Sequence, residues 1–206
     1  MNFSSFDNRM SFSFGRTHLS ITLGGKLIRY AYIRKNGCSA FKAAIGFPSD
    51  TKVSEIKPGH RAGFFGRYDA TIFVWRDPEE RAISLYRNKI VDRVNGEDIL
   101  EKFRAFAGDC EPTFEKFMEF SETNADPHCI PQSSYLQPIF YTHAIPLARL
   151  HEAMVGIAGA NAAQPFARSV NPSERTPVHV SDRARQIIRR HYARDYRMIS
   201  RLKSTA

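Results

Sequence analysis

The chain has 206 residues, of which 42% are hydrophobic, and 30 basic against 21 acidic side chains give it a formal net charge of +9. Its length, 16 Phe and 8 Tyr residues are enough to fill one full-sized core, which excludes global disorder. The charge indicates an anionic partner: nucleic acid, a membrane surface or a small multiply charged ligand. We predict one domain over residues 1–206.

The three cysteines are odd in number and form no CxxC pair, which is typical of free thiols in a reducing compartment. No run approaches the ~18 apolar residues of a membrane span. Residues 1–20 carry charges where a signal sequence needs an unbroken apolar core. We therefore expect a cytoplasmic protein without stable membrane insertion. No HxxE or Cys/His cluster has metal-ligand spacing, so no metal is expected.

Residues 27–33, LIRYAYI, are apolar and aromatic with one charge, which predicts a short buried strand. A loop over residues 35–40 follows, and a helix is predicted to start at Phe41. The loop offers backbone N–H groups at a helix N-terminus, two small hydrogen-bonding side chains and the Lys35 ammonium, which favours an anion site. Its spacing is not that of a triphosphate-binding P-loop.

Residues 70–75, ATIFVW, predict a second buried strand. Asp77 is a good N-cap, Pro78 takes the first helical position and Glu80 completes a capping-box-like arrangement, so a helix is predicted directly after the strand. Arg76 places a guanidinium at the strand end, where it is suited to grip a phosphate through two hydrogen bonds.

The two loops share a predicted position. If the strands are parallel neighbours, both loops lie at the carboxyl edge of the sheet, where ligands of open α/β sheets bind. Two anion-binding loops suggest a ligand that is charged at both ends. On the helix after Asp77, we expect Ile83, Tyr86 and Ile90 to face the core and Arg81 to be solvated or ion-paired.

The remaining chain is predicted as mostly helical. Prolines and glycines predict an irregular stretch over 48–70 and a loop over 126–138, whereas helices are predicted over 97–120 with a break at 108–112, over 146–159, and over 181–202 with Ser181 as cap. Strands and helices early and helices later predict an α/β fold with a short parallel sheet and a helix-rich C-terminal half.

The two strand-end loops resemble motifs of the sulfotransferases that use 3′-phosphoadenosine 5′-phosphosulfate (PAPS). RKNGCSAFK resembles their Lys-x-Gly-x-Ser/Thr motif through Lys35, Gly37 and Ser39. FVWRDPEERAISLY resembles their Arg-Asp-Pro-x-x-Arg-x-x-Ser-x-Tyr motif at six positions, which makes it the more specific match. These positions are Arg76, Asp77, Pro78, Arg81, Ser84 and Tyr86.

Two looser likenesses extend the resemblance. Residues 126–133, DPHCIPQS, are similar to a His-x-x-Pro-Gln segment, and Asn171, Ser173, Tyr192 and Asp195 resemble an Asn-x-Ser and Tyr-x-x-Asp pattern. The chain therefore resembles the carbohydrate branch, sulfotransferase family 2, which includes heparan 2-O- and chondroitin-type enzymes, and it looks like a bacterial-type member.

The resemblance implies a P-loop-like three-layer α/β/α fold and a set of roles. Lys35 would bind the 5′-phosphosulfate of PAPS and stabilise the leaving phosphate oxygen, and Arg76, Ser84 and Arg175 would hold the 3′-phosphate. The backbone amides that would join Lys35 are those of Asn36, Gly37, Cys38, Ser39 and Ala40. A hydroxyl of a carbohydrate or glycolipid would displace the phosphate in line at sulfur, without a metal.

The proton of that hydroxyl needs a general base. His60 follows Lys-Pro-Gly, as the catalytic histidine does in the heparan 2-O enzymes that the chain resembles, and we favour it. His128 is the competing candidate, and a carboxylate such as Glu55 is a third.

Two other functions are considered. A P-loop-like kinase of small molecules is disfavoured because neither the Walker lysine spacing nor a clear Mg²⁺ carboxylate follows the first loop. A non-catalytic nucleotide- or nucleic-acid-binding module would require base-stacking aromatics beside lysine-rich strands, which are not found, so no nucleic-acid partner is expected.

Overall fold

The computed structural model describes residues 3–94, 96–167 and 177–204, and these ranges contain six strands and nine α-helices. The strands are β1 (Phe6–Asp7), β2 (His18–Leu23), β3 (Lys26–Ala31), β4 (Ala70–Trp75), β5 (Phe140–Tyr141) and β6 (His143–Pro146). The helices are α1 (Cys38–Ala44), α2 (Val53–His60), α3 (Pro78–Tyr86), α4 (Glu97–Ala107), α5 (Phe114–Thr123), α6 (Leu150–Ala158), α7 (Gln164–Ala167), α8 (Asp182–His191) and α9 (Ala193–Ser204).

The described residues divide into two compact units. The first unit takes those of Met1–Trp75, Gln132–Pro172 and Ser200–Ala206, and the second takes those of Arg76–Pro131 and Ser173–Ile199. The single domain over 1–206 stays a prediction.

The first unit is built on a four-stranded sheet in the order β2-β3-β4-β6. β2 and β3 are antiparallel, whereas β3 and β4, and β4 and β6, run parallel. The two strands predicted from sequence are therefore parallel neighbours, with Ile28 opposite Ala70, and their carboxyl ends share one edge of the sheet. The predicted α/β fold with a short parallel sheet is confirmed.

One face of this sheet is covered by helices. Because side chains alternate along a strand, Ile28 and Tyr30 of β3 point to the same side, where they join a core that includes Phe41 of α1 and Met154 of α6. The rings of Tyr30 and Phe41 stack with centroids 3.7 Å apart. This stacking holds α1, and with it the preceding loop, against β3.

The second unit is helical, and its core is rich in phenylalanine. Phe103 of α4 and Phe117 and Phe120 of α5 pack with ring centroids 5.5 to 5.9 Å apart. Ile187, Ile188 and Tyr192 join this core and are 4%, 0% and 1% exposed. The predicted break between two helices near residue 110 is confirmed by the ends of α4 and α5.

Several predicted boundaries are wrong. The first helix begins at Cys38 rather than Phe41, because Gly37 adopts a left-handed conformation that ends the loop earlier. The stretch 48–70 contains α2, which accommodates Pro58 within a helix of only eight residues. The predicted C-terminal helix is two helices that meet at Tyr192, whose hydroxyl donates to the Cys129 carbonyl at 2.9 Å in the core.

Strands β2 and β6 were not predicted. β2 is joined to β3 through a tight turn, whereas β6 pairs with β4, which is distant along the chain. The order of the strands in the sheet follows from tertiary packing. In the ranges that the structure describes, every helix falls short of the length or the apolar run needed to span a bilayer. The cytoplasmic location stays a prediction.

Candidate functional site

The loop after β3 has an unusual backbone. Lys35 and Gly37 both adopt left-handed conformations, with φ of 69° and 78°. For a residue other than glycine this conformation costs about 1 kcal/mol. Such strain is found at ligand-binding loops, where the surrounding structure holds the backbone in place.

The Asn36 side chain provides part of that support. Asn36 is fully buried, and its Nδ2 donates to the Val74 carbonyl and to Gln132 Oε1, both at 2.8 Å. These hydrogen bonds tie the loop to the carboxyl end of β4. The side chain of Asn36 therefore acts inside the protein, and its backbone amide donates to the Ile33 carbonyl at 3.4 Å.

The N-terminus of α1 differs from that of α3. Asp77 caps α3 by accepting from the amides of Glu79 and Glu80 at 2.9 and 3.2 Å, as predicted. Among the described residues, no side chain caps α1, and its first turn contains no acidic residue. The Ala40 amide donates to the Gly37 carbonyl at 3.0 Å. The amides that precede it in a first turn have no partner within the helix, and with the partial positive charge of the N-terminus they suit a phosphate or sulfate group.

Cys38 contacts the layer below the loop. Its side chain hydrogen-bonds to that of Tyr32, and burial, together with the proximity of Cys38, raises the pKa of Tyr32 above its ordinary value. Tyr32 is 7% exposed. The Cys38 thiol therefore has an internal partner.

In the second unit, Arg76 follows β4 directly along the chain. Its Nε donates to the Glu80 carboxylate at 3.3 Å, and the Arg76 side chain is 24% exposed. Ser84 is half-buried on α3, about two helical turns after the Asp77 cap. Arg76 and Ser84 therefore belong to one segment of the second unit, which consists of α3 and the two residues before it.

Arg81 corrects a prediction. It was expected to be solvated or ion-paired, but it is 2% exposed. Its guanidinium donates to the carbonyls of Ile130 and His128 at 3.1 and 3.3 Å and lies 5.8 Å from the centre of the Tyr192 ring. The reason is that a planar guanidinium can satisfy several converging carbonyls at once inside a core. Arg81 positions the segment that carries His128.

His128 forms a pair with Asp126. The Nδ1 of His128 and its backbone N–H both lie 2.8 Å from Asp126 Oδ1, and the two side chains are 19% and 12% exposed. Burial acts to raise the pKa of Asp126, but the hydrogen bonds from His128 outweigh it and lower that pKa to about 2. An ionised Asp126 fixes the orientation of the imidazole and places a proton on Nδ1.

His60 is the last residue of α2 in the first unit. Its Nδ1 lies 3.2 Å from the Ser20 carbonyl, and its ring packs edge-to-face on Phe47 with centroids 5.8 Å apart. Ser20 pairs with Arg29, two residues before the carboxyl end of β3. Because a carbonyl only accepts, this contact places the proton of a neutral His60 on Nδ1.

The sequence missed two of the side chains that support the site. Asp126 and the side-chain role of Asn36 were not predicted, whereas Gln132 was part of the His-x-x-Pro-Gln likeness. Asp126 contacts His128 two residues away, so the Asp-Pro-His spacing was a local signal for it, but the partners of Asn36 come from distant parts of the chain. Three predicted residues, Asn171, Ser173 and Arg175, lie outside the described residues. Within the described ranges, no group of three or more His, Cys, Asp or Glu side chains is placed to hold a metal ion.

Comparison with known proteins identifies the family. No curated protein and no solved structure matches the chain significantly. A family model described as the sulfotransferase family matches residues 21–199, a range that includes the loop after β3 and the Arg76 to Tyr86 segment. Since the match extends over most of the chain, the protein belongs to the sulfotransferase family, whose chemistry is the transfer of a sulfuryl group.

Proposed function

We propose that this protein transfers the sulfuryl group of PAPS to a hydroxyl of a carbohydrate acceptor, either free or carried on a lipid. The proposal places it in the carbohydrate branch of the family, as a bacterial-type member. The observation that carries it is the loop after β3, where a strained lysine and an uncapped helix N-terminus lie at the carboxyl ends of the parallel strands β3 and β4. Cationic and N–H groups suit a phosphosulfate.

In this proposal, the loop after β3 binds the 5′-phosphosulfate. The amides of Gly37, Cys38 and Ser39 hold its oxygens, whereas those of Asn36 and Ala40, which were predicted for the same role, donate to the Ile33 and Gly37 carbonyls. The Lys35 ammonium stabilises the negative charge that grows on the leaving phosphate oxygen. Asn36 and Gly37 contribute by keeping the backbone in its left-handed conformation, which two hydrogen bonds of the buried Asn36 amide reinforce. Groups fixed before the reaction stabilise developing charge without reorganising.

The 3′-phosphate is assigned to Arg76 and Ser84. A guanidinium and a hydroxyl on one segment suit a phosphate, because both donate hydrogen bonds and the guanidinium supplies charge. Glu80 contacts Nε, so it orients the Arg76 guanidinium from one edge. Arg175, which lies outside the described residues, is retained as a further proposed contact.

The chemistry is a displacement at sulfur. The acceptor oxygen forms a bond to sulfur while the bond from sulfur to the phosphate oxygen breaks, and a base receives the hydroxyl proton. His60 and His128 both have Nδ1 against an oxygen acceptor, Ser20 and Asp126 respectively. Either arrangement leaves the lone pair of the neutral imidazole on Nε2, as a general base requires. A carboxylate such as Glu55 is the third candidate.

The kinase and the nucleic-acid-binding alternatives are less well supported. Membership of the sulfotransferase family favours sulfuryl transfer over phosphoryl transfer. We retain both alternatives as outcomes of the binding experiment below.

The experiment is titration calorimetry with adenosine 3′,5′-bisphosphate, with ATP and with a single-stranded oligonucleotide. We expect the bisphosphate to bind and the other two to bind at least about tenfold more weakly, because only the bisphosphate has a 3′-phosphate for Arg76 and Ser84. Equal affinity for ATP would overturn the proposal in favour of the kinase, and preference for the oligonucleotide would favour the binding module.

Two variants locate the binding groups. Lys35→Ala and Arg76→Ala should each weaken bisphosphate binding about tenfold or more, since each removes a charge-assisted hydrogen bond. Arg104→Ala, on the exposed side of α4, is the matched control and should bind as the wild type does. A labelled-product screen with PAPS over sugars and glycolipids then identifies the acceptor.

A further inference from the structure

Two segments of the first unit expose large apolar side chains. In residues 8–16, Met10, Phe12 and Phe14 are 91%, 101% and 89% exposed. In residues 61–67, Phe65 is 95% and Phe64 is 49% exposed. A buried Phe or Met is worth about 1.5–3 kcal/mol relative to an exposed one, so five such residues in water indicate that something covers them.

The first segment reverses the usual alternation of a surface strand. Met10, Phe12 and Phe14 point outward, while Ser11 and Ser13 between them are half-buried. The serine hydroxyls accept hydrogen bonds from the backbone amides two residues further on, at 3.2 and 3.3 Å. A segment made to face water would turn its serines out and its aromatic rings in.

Hydrogen bonds hold this apolar row in place. The Asn8 amide donates to the Ile139 carbonyl at 3.2 Å, and the Arg16 amide donates to the Tyr135 carbonyl at 3.0 Å. Between these anchors, Gly15 packs so closely that a Cβ would lie 2.4 Å from the Leu136 carbonyl oxygen. The outward direction of the phenylalanine rings is therefore fixed by the backbone.

The second segment is organised by a buried arginine. Arg29 is 5% exposed, and its Nη2 donates to the carbonyls of Gly63 and Phe64 at 2.6 and 2.9 Å. Its guanidinium also lies 4.3 Å from the centre of the Tyr68 ring. The fold thus uses an internal cation to hold a loop whose tip presents the adjacent rings of Phe64 and Phe65, 5.2 Å apart, to solvent.

Both segments reach the N-terminal end of β2: residues 8–16 precede it along the chain, and residues 61–62 pair with it. The Ala62 amide donates to the His18 carbonyl at 3.0 Å, and Leu19 forms an antiparallel bridge with Arg61. His18 pairs with Ala31, the last residue of β3. Residues 16–18 and 61–62 therefore lie at the edge of the sheet from which the Lys35 loop departs. From there the loop of Phe64 and Phe65 passes Arg29 and returns towards the other edge, where the Asp69 amide donates to the Leu27 carbonyl at 2.9 Å.

The charge of the two segments has one sign. They contain four arginines and no acidic residue. Arg9 is balanced by Asp7 at 2.6 Å, whereas Arg16, Arg61 and Arg67 are exposed. Exposed cations beside projecting aromatic rings match the interface of an anionic bilayer, where the rings enter the acyl boundary and the arginines meet headgroups.

We propose that residues 8–16 and 61–67 form a docking surface through which the protein binds reversibly to the surface of an anionic phospholipid bilayer. The rings of Phe12, Phe14 and Phe65 are 89% or more exposed, which suits a fluid bilayer better than the shaped pocket of a protein partner. Surface contact of this kind is distinct from the stable insertion that the sequence argues against. Docking would bring lipid-linked acceptors towards the sheet edge from which the Lys35 loop departs, a consequence that rests on the proposed function.

The test is flotation of the full chain with two kinds of vesicle, phosphatidylcholine alone and phosphatidylcholine with phosphatidylserine. We expect binding to the anionic vesicles that weakens with added salt and is at least about fivefold weaker on the neutral vesicles. The paired variants Phe12→Ser with Phe14→Ser, Phe64→Ser with Phe65→Ser, and Arg61→Gln with Arg67→Gln should each reduce binding about tenfold.

Matched controls change exposed residues of the second unit. Val91→Ser with Val94→Ser, and Arg104→Gln with Arg197→Gln, should bind as the wild type does. Absence of binding to anionic vesicles, or equal loss in the controls, would refute the docking surface. So would self-association in ultracentrifugation that the phenylalanine variants abolish, since the surface would then join two copies. Flotation needs no turnover, so its outcome is independent of the proposed sulfuryl transfer.

Discussion

The side-chain amide of Asn36 donates a hydrogen bond to the backbone carbonyl of Val74 across 2.8 Å. Asn36 lies in the loop after β3 and Val74 near the end of β4, so this bond links the two strand ends that the sequence identified separately. A second bond, to Gln132, completes the anchorage of the loop.

Asn36→Ala should destabilise the protein and weaken binding of adenosine 3′,5′-bisphosphate. The substitution leaves the buried Val74 carbonyl and Gln132 side chain without their donor, which lowers the free energy of unfolding by about 1–3 kcal/mol. Urea unfolding and calorimetry measure the two effects. Asn8→Ala removes a similar 2.8 Å bond, to Gln137, away from the loop. If both variants bind the bisphosphate equally well, the anchoring role of Asn36 is wrong.

Gly37→Ala should be more damaging than Gly46→Ala. Both glycines have left-handed backbones, with φ of 78° and 80°, so both substitutions introduce about 1 kcal/mol of strain. At Gly37, a Cβ would also lie 2.9 Å from Leu150 Cδ2 and 3.0 Å from Leu147 Cδ1, whereas at Gly46 it meets no described atom within 4 Å. Thermal unfolding should show an extra loss of roughly 1–2 kcal/mol for Gly37→Ala. Equal losses would contradict the close packing.

Arg81→Ala should loosen the segment that carries His128. It removes the Arg81 donor from the carbonyls of two half-buried residues, His128 and Ile130, and it removes a large buried side chain. We therefore expect a loss of roughly 2–4 kcal/mol in the free energy of unfolding. Hydrogen exchange at the amides of Cys129 and Ile130 should become faster than in the exposed control Arg104→Ala. Unchanged protection of these amides would show that other contacts hold the segment.

Asp126→Asn should reduce the sensitivity of the protein to acid. The folded-state pKa of Asp126 is about 2, below the value of about 3.9 in an unfolded chain. The ionised carboxylate therefore contributes stability that is present above about pH 4 and lost as the pH falls towards 2. Urea unfolding between pH 5 and 2 should give a shallower decline for the variant than for the wild type or for Asp109→Asn, an exposed control. Parallel curves would contradict the pairing with His128.

The general base can be identified by comparing His60→Ala and His128→Ala. The base variant should lose turnover by about 10²-fold or more and keep its affinity for adenosine 3′,5′-bisphosphate, because the base acts on the acceptor. Single-turnover sulfation and calorimetry separate these quantities. His151→Ala, on the exposed surface of α6, serves as control. If both candidates keep full turnover, the base is another group, such as Glu55.

Local sequence patterns were sufficient to predict the segments whose structure depends on residues a few positions apart. The strand of residues 70–75, the Asp77 cap and the position of Pro78 were all predicted and confirmed, because capping and strand propensity depend on near neighbours. The parallel arrangement of β3 and β4 followed from two strand-to-helix units in succession. The family resemblance rested on these same segments.

Tertiary structure alone decided the residues whose environment comes from distant parts of the chain. The sequence predicts Arg81 as a surface arginine, yet it is buried and donates to carbonyls some fifty positions away. The sequence places Asn36 in a loop, and only the structure shows that its side chain donates to Val74 and Gln132. The outward row of Met10, Phe12 and Phe14 likewise depends on anchors at Tyr135 and Ile139. The sequence by itself determined the two strand-end motifs, and with them the family, because the strand ends and the helix cap depend on contacts between near neighbours in the chain. Packing between remote segments determined which polar groups are buried and which apolar groups face outward.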